Sequence, residues 1–479
     1  MPRYGRGRSG ARVAAAGLIL PLLAACSLAP AYDRPALPTS DRYPGAAEAA
    51  ATERAGRARV GWREFFADPA LRELIGRALE NNRDLRSAAR RTEAVRALYG
   101  IARADRLPTI AAGAAGSRSR APADLSFTGR AATAAQYQAN LQVSSWELDL
   151  WGRVRDLKEA ALEAYLADDE TRRSVAVSLV AGVANSYLLE RELEERLALA
   201  GSTLASREES LRIVSRRFQR GNASRLDEVQ AETLLNQARA ALAVLRRARD
   251  LNRNALTLAV GAPVALEPLP LSRVEEGFAP DLPPGLPSDL LAGRPDVRAA
   301  EHRLKGAHAD IGAARAAFFP RIALTGAFGT ASAELDGLFG AGSGAWTFAP
   351  SATVPLFDHG RRRAALDLAR ARRDQAVADY ERIVQGAFRE VADGLAERRW
   401  LAEQVAAERA VVSLQTERAR LARLRWENGS ASYLEALDAE RERFAAEQAH
   451  VQTRRALLAS KVDLFAALGG GDTAEEPKR

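Results

Sequence analysis

The residues best suited to do chemistry are three carboxylates, Asp227, Glu435 and Asp438, which follow two related turns. In each turn a serine lies three positions after a glycine, and an acidic residue lies three positions after the serine. A serine at a helix N-cap with an acid three residues later can form a capping box or favour the helix dipole. Asp227 and Glu435 therefore have a structural explanation. Asp438 lies one turn further along the same helix face, where capping does not explain it.

The turns themselves are two copies of one stretch, residues 217–232 and 425–440. Gly221 ends the first long amphipathic run, and Gly429 ends the second, 208 positions later. Glycine takes the left-handed conformation of a helix C-terminus without steric cost. The sequence therefore predicts two tight helix-to-helix turns at equivalent places in a duplicated chain.

No other polar pattern predicts catalysis or metal binding. The four histidines are His302, His308, His359 and His450. They make no HExxH pair, and the sequence has no phosphate-binding glycine loop and no nucleophile elbow. We expect these histidines on the surfaces of helices, no cofactor or metal, and no enzymatic activity.

The composition favours closely packed helices. Of the 479 residues 47% are hydrophobic but only 6% are aromatic, and alanine dominates the apolar set. The net charge of +8 includes four arginines of the N-terminal segment. The remaining arginines alternate with glutamates along helices, which is typical of solvated faces, so we expect no nucleic-acid partner.

Residues 1–25 are typical of a lipoprotein signal peptide: basic residues precede an apolar run that is too short to span a bilayer as a helix. The run ends in Leu-Ala-Ala-Cys, which matches the bacterial lipobox with Cys26 as the lipidated mature N-terminus. An ordinary signal peptide that happens to contain a cysteine is the alternative. Ser27 is not the aspartate that retains many lipoproteins in the inner membrane, so we expect outer-membrane lipid around the anchor. Residues 26–61 then form an extended leader.

The mature chain is internally duplicated, with structural repeats at 62–261 and 294–469, a proline-rich crossover at 262–293 and a flexible tail at 470–479. Helical patterns cover about 83–106, 152–220 and 223–260 in the first repeat, and about 296–319, 361–428 and 431–468 in the second. Each long helix is on the order of 100 Å, close to the summed length of its two shorter neighbours. Near the first turn the apolar spacing is that of a coiled coil, with Arg207 as a polar intruder.

Alternating polar and apolar residues predict one β-hairpin in each repeat, at about 109–149 and 321–357. The clearest polar positions are Gln136, Gln138, Asn140 and Gln142. Such alternation is typical of a strand with one wet and one apolar face. A soluble sandwich could show the same alternation, but four strands are too few to close a barrel alone. Four strands from each of three chains would give roughly a dozen, within the range of outer-membrane barrels.

The lipobox, the duplicated hairpin-plus-long-helix unit and the paired glycine turns resemble the outer-membrane factors of bacterial tripartite efflux systems. The branch is the lipoprotein one, often called the NodT family, with the TolC-like fold. The resemblance implies a mainly α-helical homotrimer with a small β part. Four strands per chain would build a shared transmembrane β-barrel, on a long α-helical coiled-coil tunnel in the periplasm. The function implied is a passive exit duct for small toxic compounds.

The resemblance also assigns the turns to the periplasmic tip, where a periplasmic adaptor docks and an inner-membrane pump, expected to be of the resistance-nodulation-division type, is engaged. The docking positions would be Arg220, Gly221, Asn222, Asn428, Gly429 and Ser430. By motif position, Asp227, Glu435 and Asp438 match acids that line the mouth, and Trp426 matches a latch aromatic. The latch arginine of a relative falls on Ala431, so another cation is needed, with Arg220 or Arg225 as candidates.

The same resemblance places Gln136, Gln138, Asn140 and Gln142 in the barrel lumen. Under three-fold symmetry the tip acids would converge on an axis, which predicts a cation-selective mouth that is closed at rest. A duct for type I protein secretion and a heavy-metal efflux duct share this fold and stay open as alternatives. A lipid-anchored coiled-coil scaffold would need no hairpins, and an enzyme would need a site that the sequence does not show.

Overall fold

The computed structural model describes residues 27–40, 42–44, 61–127, 129–276, 291 and 293–471. The predicted signal peptide, Cys26, much of the leader, and parts of the crossover and of the tail lie outside the described residues.

Each half of the described chain contains a helix, two strands and two long helices in that order, preceded by two shorter helices in the first half and one in the second. The first half forms α1 (Trp62–Phe65), α2 (Pro69–Asn81), α3 (Arg83–Ala104), β1 (Ile110–Ala121), β2 (Ala132–Leu148), α4 (Arg153–Gln219) and α5 (Arg225–Val260). After α6 (Leu271–Glu275) follow α7 (Pro295–Ala316), β3 (Arg321–Ser332), β4 (Gly344–Thr353), α8 (Arg361–Glu427) and α9 (Tyr433–Ala467). The predicted long helices are confirmed, since α4 and α8 each have 67 residues. None of the described helices combines the length and the apolar character needed to cross a membrane.

The residues group into two compact units, and each unit draws on both halves of the sequence. The first unit contains the described residues up to Pro35 together with Thr92–Asp168 and Ala300–Tyr380. The second contains those of Ala36–Arg91, Asp169–Ala299 and Glu381 onwards.

One antiparallel sheet of four strands, in the order β1-β2-β3-β4, forms the strand part of the first unit. Leu141 pairs with Phe328, and Phe328 with Trp346, so an apolar row crosses three strands on one face. On the other face Gln138 pairs with Ala115 of β1. Because successive side chains of a strand point to opposite faces, the predicted separation of polar and apolar positions is confirmed.

The described start of the leader is fixed to the first unit by polar contacts. Arg34 donates from Nε at 3.1 Å and from Nη2 at 2.6 Å to the two carboxylate oxygens of Glu301 in α7, and the hydroxyl of Tyr32 donates to the same carboxylate at 3.1 Å. The Ser27 hydroxyl donates to Asp156, in the first turn of α4, at 2.7 Å. The residue that follows Cys26 is therefore held beside the start of a long helix.

The second unit has an aromatic core at its N-terminal helices. Phe65 stacks on Phe465 with ring centroids 4.4 Å apart. Asp68 caps α2 by accepting from the N–H of Ala70 at 2.8 Å, and it also accepts from the buried hydroxyl of Tyr187 at 2.6 Å. Burial raises the pKa of Tyr187, and the hydrogen bond to Asp68 raises it further. One carboxylate thus starts a helix and joins it to α4.

A fully buried acid organises the polar part of the same unit. Glu190 in α4 is 0% exposed and accepts from Nε of Arg249 at 2.7 Å and Nε of Arg253 at 2.8 Å, both in α5. Burial by itself raises the pKa of Glu190, but the hydrogen bonds from Arg249 and Arg253 outweigh burial and leave that pKa below its ordinary value. The charged form of Glu190 is therefore the stabilising one.

We expect Glu190→Gln to lower the free energy of unfolding by about 2 kcal/mol at neutral pH, because two arginines lose their buried counter-charge. Because the pKa of Glu190 is lower in the folded than in the unfolded protein, its charge stabilises the fold above the unfolded pKa, and this stabilisation is lost as the pH falls through the folded pKa. The difference in free energy of unfolding between wild type and Glu190→Gln should therefore shrink below about pH 4. Urea unfolding followed by circular dichroism measures both effects.

The matched control is Glu208→Gln. Its carboxylate lies 3.5 Å from Arg239 with both side chains about half exposed, so its loss should cost less than about 1 kcal/mol. Equal effects of the two substitutions would contradict the role given to Glu190.

Candidate functional site

Both glycine turns, which belong to the second unit, end their helices with the same hydrogen bonds. Gly221 has φ 76° and Gly429 has φ 71°. The N–H of Gly221 donates to the carbonyl of Phe218 at 2.9 Å, and that of Asn222 to the carbonyl of Arg217 at 2.8 Å. The equivalent pair of bonds recurs in the second turn. This is the Schellman motif, and its left-handed C′ position explains the glycine in each copy.

Asp227 completes a capping box at the start of α5. The Ser224 hydroxyl accepts from the N–H of Asp227 at 3.1 Å, and the Asp227 carboxylate accepts from the N–H of Ser224 at 2.9 Å. The structural explanation of this acid is therefore confirmed. Its proposed place in a gate stays a prediction.

The capping box predicted at Glu435 consists of two hydrogen bonds, and the prediction is wrong for one of them. The Ser432 hydroxyl does accept from the N–H of Glu435, at 3.3 Å. The Glu435 carboxylate instead accepts from Nη1 of Arg425, in the last turn of α8. The guanidinium offers a charge-assisted bond, which is stronger than the bond to a backbone N–H.

Asp438 holds two arginines at once. One carboxylate oxygen accepts from Nη2 of Arg418 on α8 at 2.9 Å, and the other accepts from Nη2 of Arg441, three residues along α9, at 2.7 Å. The sequence suggested Arg220 or Arg225 as the cation instead. Within this chain, Arg225 pairs with Glu228. All three side chains are more than a third exposed, so each pair contributes less than about 1 kcal/mol.

Trp426 joins the end of α4 to the second turn. The Arg217 guanidinium lies 4.7 Å from the centroid of the Trp426 ring, and the ring of Tyr433 lies 5.0 Å from it on α9. A second link is buried: Arg207 of α4 is 3.0 Å from Glu440 of α9, with side chains 5% and 16% exposed. Arg207, the polar residue in the coiled-coil pattern, therefore forms an ion pair between two helices.

The six predicted docking residues, Arg220, Gly221, Asn222, Asn428, Gly429 and Ser430, are all exposed. The sequence prediction missed two apolar neighbours, Leu226 and Leu434, which are 64% and 56% exposed in the first turns of α5 and α9. They are 208 positions apart. The offset of 208 positions that relates the two glycines also relates these two leucines, so the sequence could have identified them.

The four predicted lumen residues share one face of β2. In the register of the sheet, Asn140 pairs with Gly113 of β1 and Gly329 of β3. Gln142 pairs with Ala111 and Ala327, so small residues border the amides on both sides. Around these four residues the face is polar and uncharged. Its charged residues, Glu147 and Arg321, lie at the end next to α4 and α7 and pair at 2.7 Å.

The placement expected for the histidines, on the surfaces of helices, is wrong for two of them. His359 lies in the turn before α8, and His308 of α7 is buried. It is 9% exposed, and its ring meets that of Tyr32 edge-on at 5.5 Å. Burial lowers the pKa of His308. His302 places Nδ1 2.6 Å from Glu163. Across the described parts of the chain, no three His, Cys, Asp or Glu residues are grouped to hold a metal ion.

Comparison with known proteins agrees with this geometry. The sequence model of the family described as "Outer membrane efflux protein" matches residues 74–262 and 286–470. Outer membrane protein OprJ of Pseudomonas aeruginosa is 47% identical over 457 residues, which cover 95% of each chain. The toluene efflux pump outer membrane protein TtgF of Pseudomonas putida is 48% identical over 456 residues, or 94% of this chain and 95% of the relative.

Solved structures extend the likeness to the fold. A membrane protein from Pseudomonas aeruginosa superposes with a TM-score of 0.86 at 44% identity, covering 93% of this chain and 98% of that chain. The open state of the MtrE outer membrane channel of Neisseria gonorrhoeae gives 0.83 at 40% identity, with coverage of 93% and 98%. The predicted TolC-like fold and the outer-membrane location in a Gram-negative bacterium are confirmed. The chain belongs to the outer membrane efflux protein family.

Proposed function

We propose that this protein is the exit duct of a tripartite efflux pump, and that a homotrimer of it passively conducts small toxic compounds through the outer membrane. The observation that carries the proposal is a sheet with one largely apolar and one largely polar face in the same chain as two long helices that end in matched exposed turns. Names of relatives, which include toluene and antibiotic efflux pump outer membrane proteins, favour small organic compounds over secreted proteins or metals.

Apolar stripes on two helices support the trimer. On α5, Val244, Leu251 and Leu258 recur every seven residues and are 54%, 62% and 80% exposed. On α8, Leu414 and Leu421 have the same spacing and are 71% and 47% exposed. Seven-residue spacing is the pattern of packed parallel or antiparallel helices. We assign these stripes to contacts with further copies of the chain.

The exposed turns support a docking surface for a periplasmic adaptor, with the inner-membrane pump behind it. Leu226 and Leu434 give that surface an apolar anchor in each copy, bordered by the polar residues of the two turns. Small apolar anchors with a polar rim are typical of protein interfaces.

We further propose that Cys26 carries the lipid. The hydrogen bond from Ser27 to Asp156 supports this, because it holds the residue next to Cys26 beside the first turn of α4. This helix begins five residues after the end of β2. The anchor would then enter the membrane next to the sheet of the same chain.

A cell that lacks its own outer-membrane efflux protein, but keeps a compatible adaptor and pump, tests the proposed function. Expression of this chain should lower the steady-state accumulation of a fluorescent dye, and should raise resistance to toluene. Unchanged accumulation with a correctly folded protein in the outer membrane would contradict the duct.

Asp438 and Glu435 are the acids that we propose as the gate. Asp438→Ala should free Arg418 and Arg441, raise the open probability and weaken cation preference, and Glu435→Arg should reverse the charge at the second turn. Single-channel recording in planar bilayers measures conductance and ion selectivity. The control is Glu417→Ala, an acid 53% exposed that is paired with Arg420 on α8. Unchanged conductance and selectivity in both gate variants would remove the assignment.

A further inference from the structure

On the apolar face of the sheet, the residues change from apolar to charged near the turn of the β1–β2 hairpin, at the end remote from α3 and α4. On this face β1 presents every second residue from Ile110 to Gly116, opposite Val143 to Tyr137 of β2. This stretch of β1 is about 20 Å long, close to the apolar band of an outer-membrane barrel. The next two residues on the same face are Arg118 and Arg120.

An aromatic ring marks the boundary. A Cβ atom at Gly116 would lie 2.9 Å from Cδ1 of Tyr137, so the Tyr137 ring lies across the glycine on this face. Aromatic side chains at the edges of an apolar band are typical of the level of lipid headgroups. Arg118 and Arg120 therefore follow at headgroup level.

These arginines are the unneutralised charges of the sheet. All strand residues are described, and the other two charged ones, Glu147 and Arg321, pair with each other at 2.7 Å near the opposite end. Arg118 and Arg120 are exposed, and no ion pair or hydrogen bond involves their side chains in the described structure. The β1–β2 loop adds Arg130 and Asp124, which leaves the hairpin end positive, while Glu334 and Asp336 lie in the β3–β4 loop.

We propose that Arg118 and Arg120 bind the phosphate groups of the glycolipid of the outer leaflet, the lipid A part of lipopolysaccharide. The inference rests on the proposed function, because the duct places this face in lipid and this hairpin end outside the cell. A guanidinium binds phosphate through two parallel hydrogen bonds. The two arginines are about 7 Å apart along one strand face, and the apolar band below them receives the acyl chains.

The test uses the full-length protein in nanodiscs, with binding of lipid A measured by native mass spectrometry. Arg118→Gln combined with Arg120→Gln should weaken binding by about 30-fold, at roughly fivefold for each arginine near a charged membrane surface. Dephosphorylated lipid A should bind wild type and variant alike.

The strand offers a control of identical composition. Ser117→Arg, Arg118→Ser, Ser119→Arg and Arg120→Ser together keep the charge but move both guanidinium groups to the other face. This variant should bind lipid A as weakly as the double glutamine variant. Circular dichroism and heat-modifiability show whether the variants fold.

Three results would overturn the proposal: equal lipid A binding by wild type and the glutamine variant, wild-type binding by the swapped variant, or full displacement of lipid A by inorganic phosphate at equal concentration. Conductance of the same samples in planar bilayers is read separately. Unaltered lipid binding in the variants refutes only the lipid site when the protein conducts in its wild-type or Asp438→Ala form. Absence of conductance in both of those forms refutes the duct.

Discussion

Backbone hydrogen bonding at the two edges of the sheet limits how this chain can exist in a membrane. In the order β1-β2-β3-β4, the outer edges of β1 and β4 have no neighbouring strand within the described chain. An unsatisfied N–H or C=O group in hydrocarbon costs several kcal/mol, so an open edge of ten or more residues cannot face lipid. The proposed trimer satisfies both edges, and the exposed stripes of α5 and α8 extend the same association to the helices.

The ion pairs near the turns fall into two classes with different energies. Arg207 is buried and pairs with Glu440, whose side chain is 16% exposed, so removing Glu440 would leave a buried charge without compensation at a cost of about 3 kcal/mol. The pairs of Asp438 are exposed and contribute less than about 1 kcal/mol each. In the proposed gate, the pairs of Asp438 can therefore exchange while Arg207 keeps α4 and α9 together. Opening and structural integrity depend on separate contacts.

Elements with a strong period were predictable from the sequence, and partners across helices were not. The alternation around Gln138 and Asn140 located the strand and its faces, because a strand repeats every two residues. The glycines at 221 and 429 located the turns, because a left-handed C′ position selects glycine. Arg418 binds Asp438 from another helix, twenty positions away, and no local rule predicts that contact. Arg207 broke the coiled-coil pattern, but the sequence did not identify Glu440 as its partner.

The mass of the purified protein under native conditions tests the central claim, that several chains must share one sheet. Native mass spectrometry of the protein released from mild detergent should give the mass of three chains, and heating should convert it to the mass of one. A single-chain mass before heating, in a sample that is folded by circular dichroism, would contradict the account.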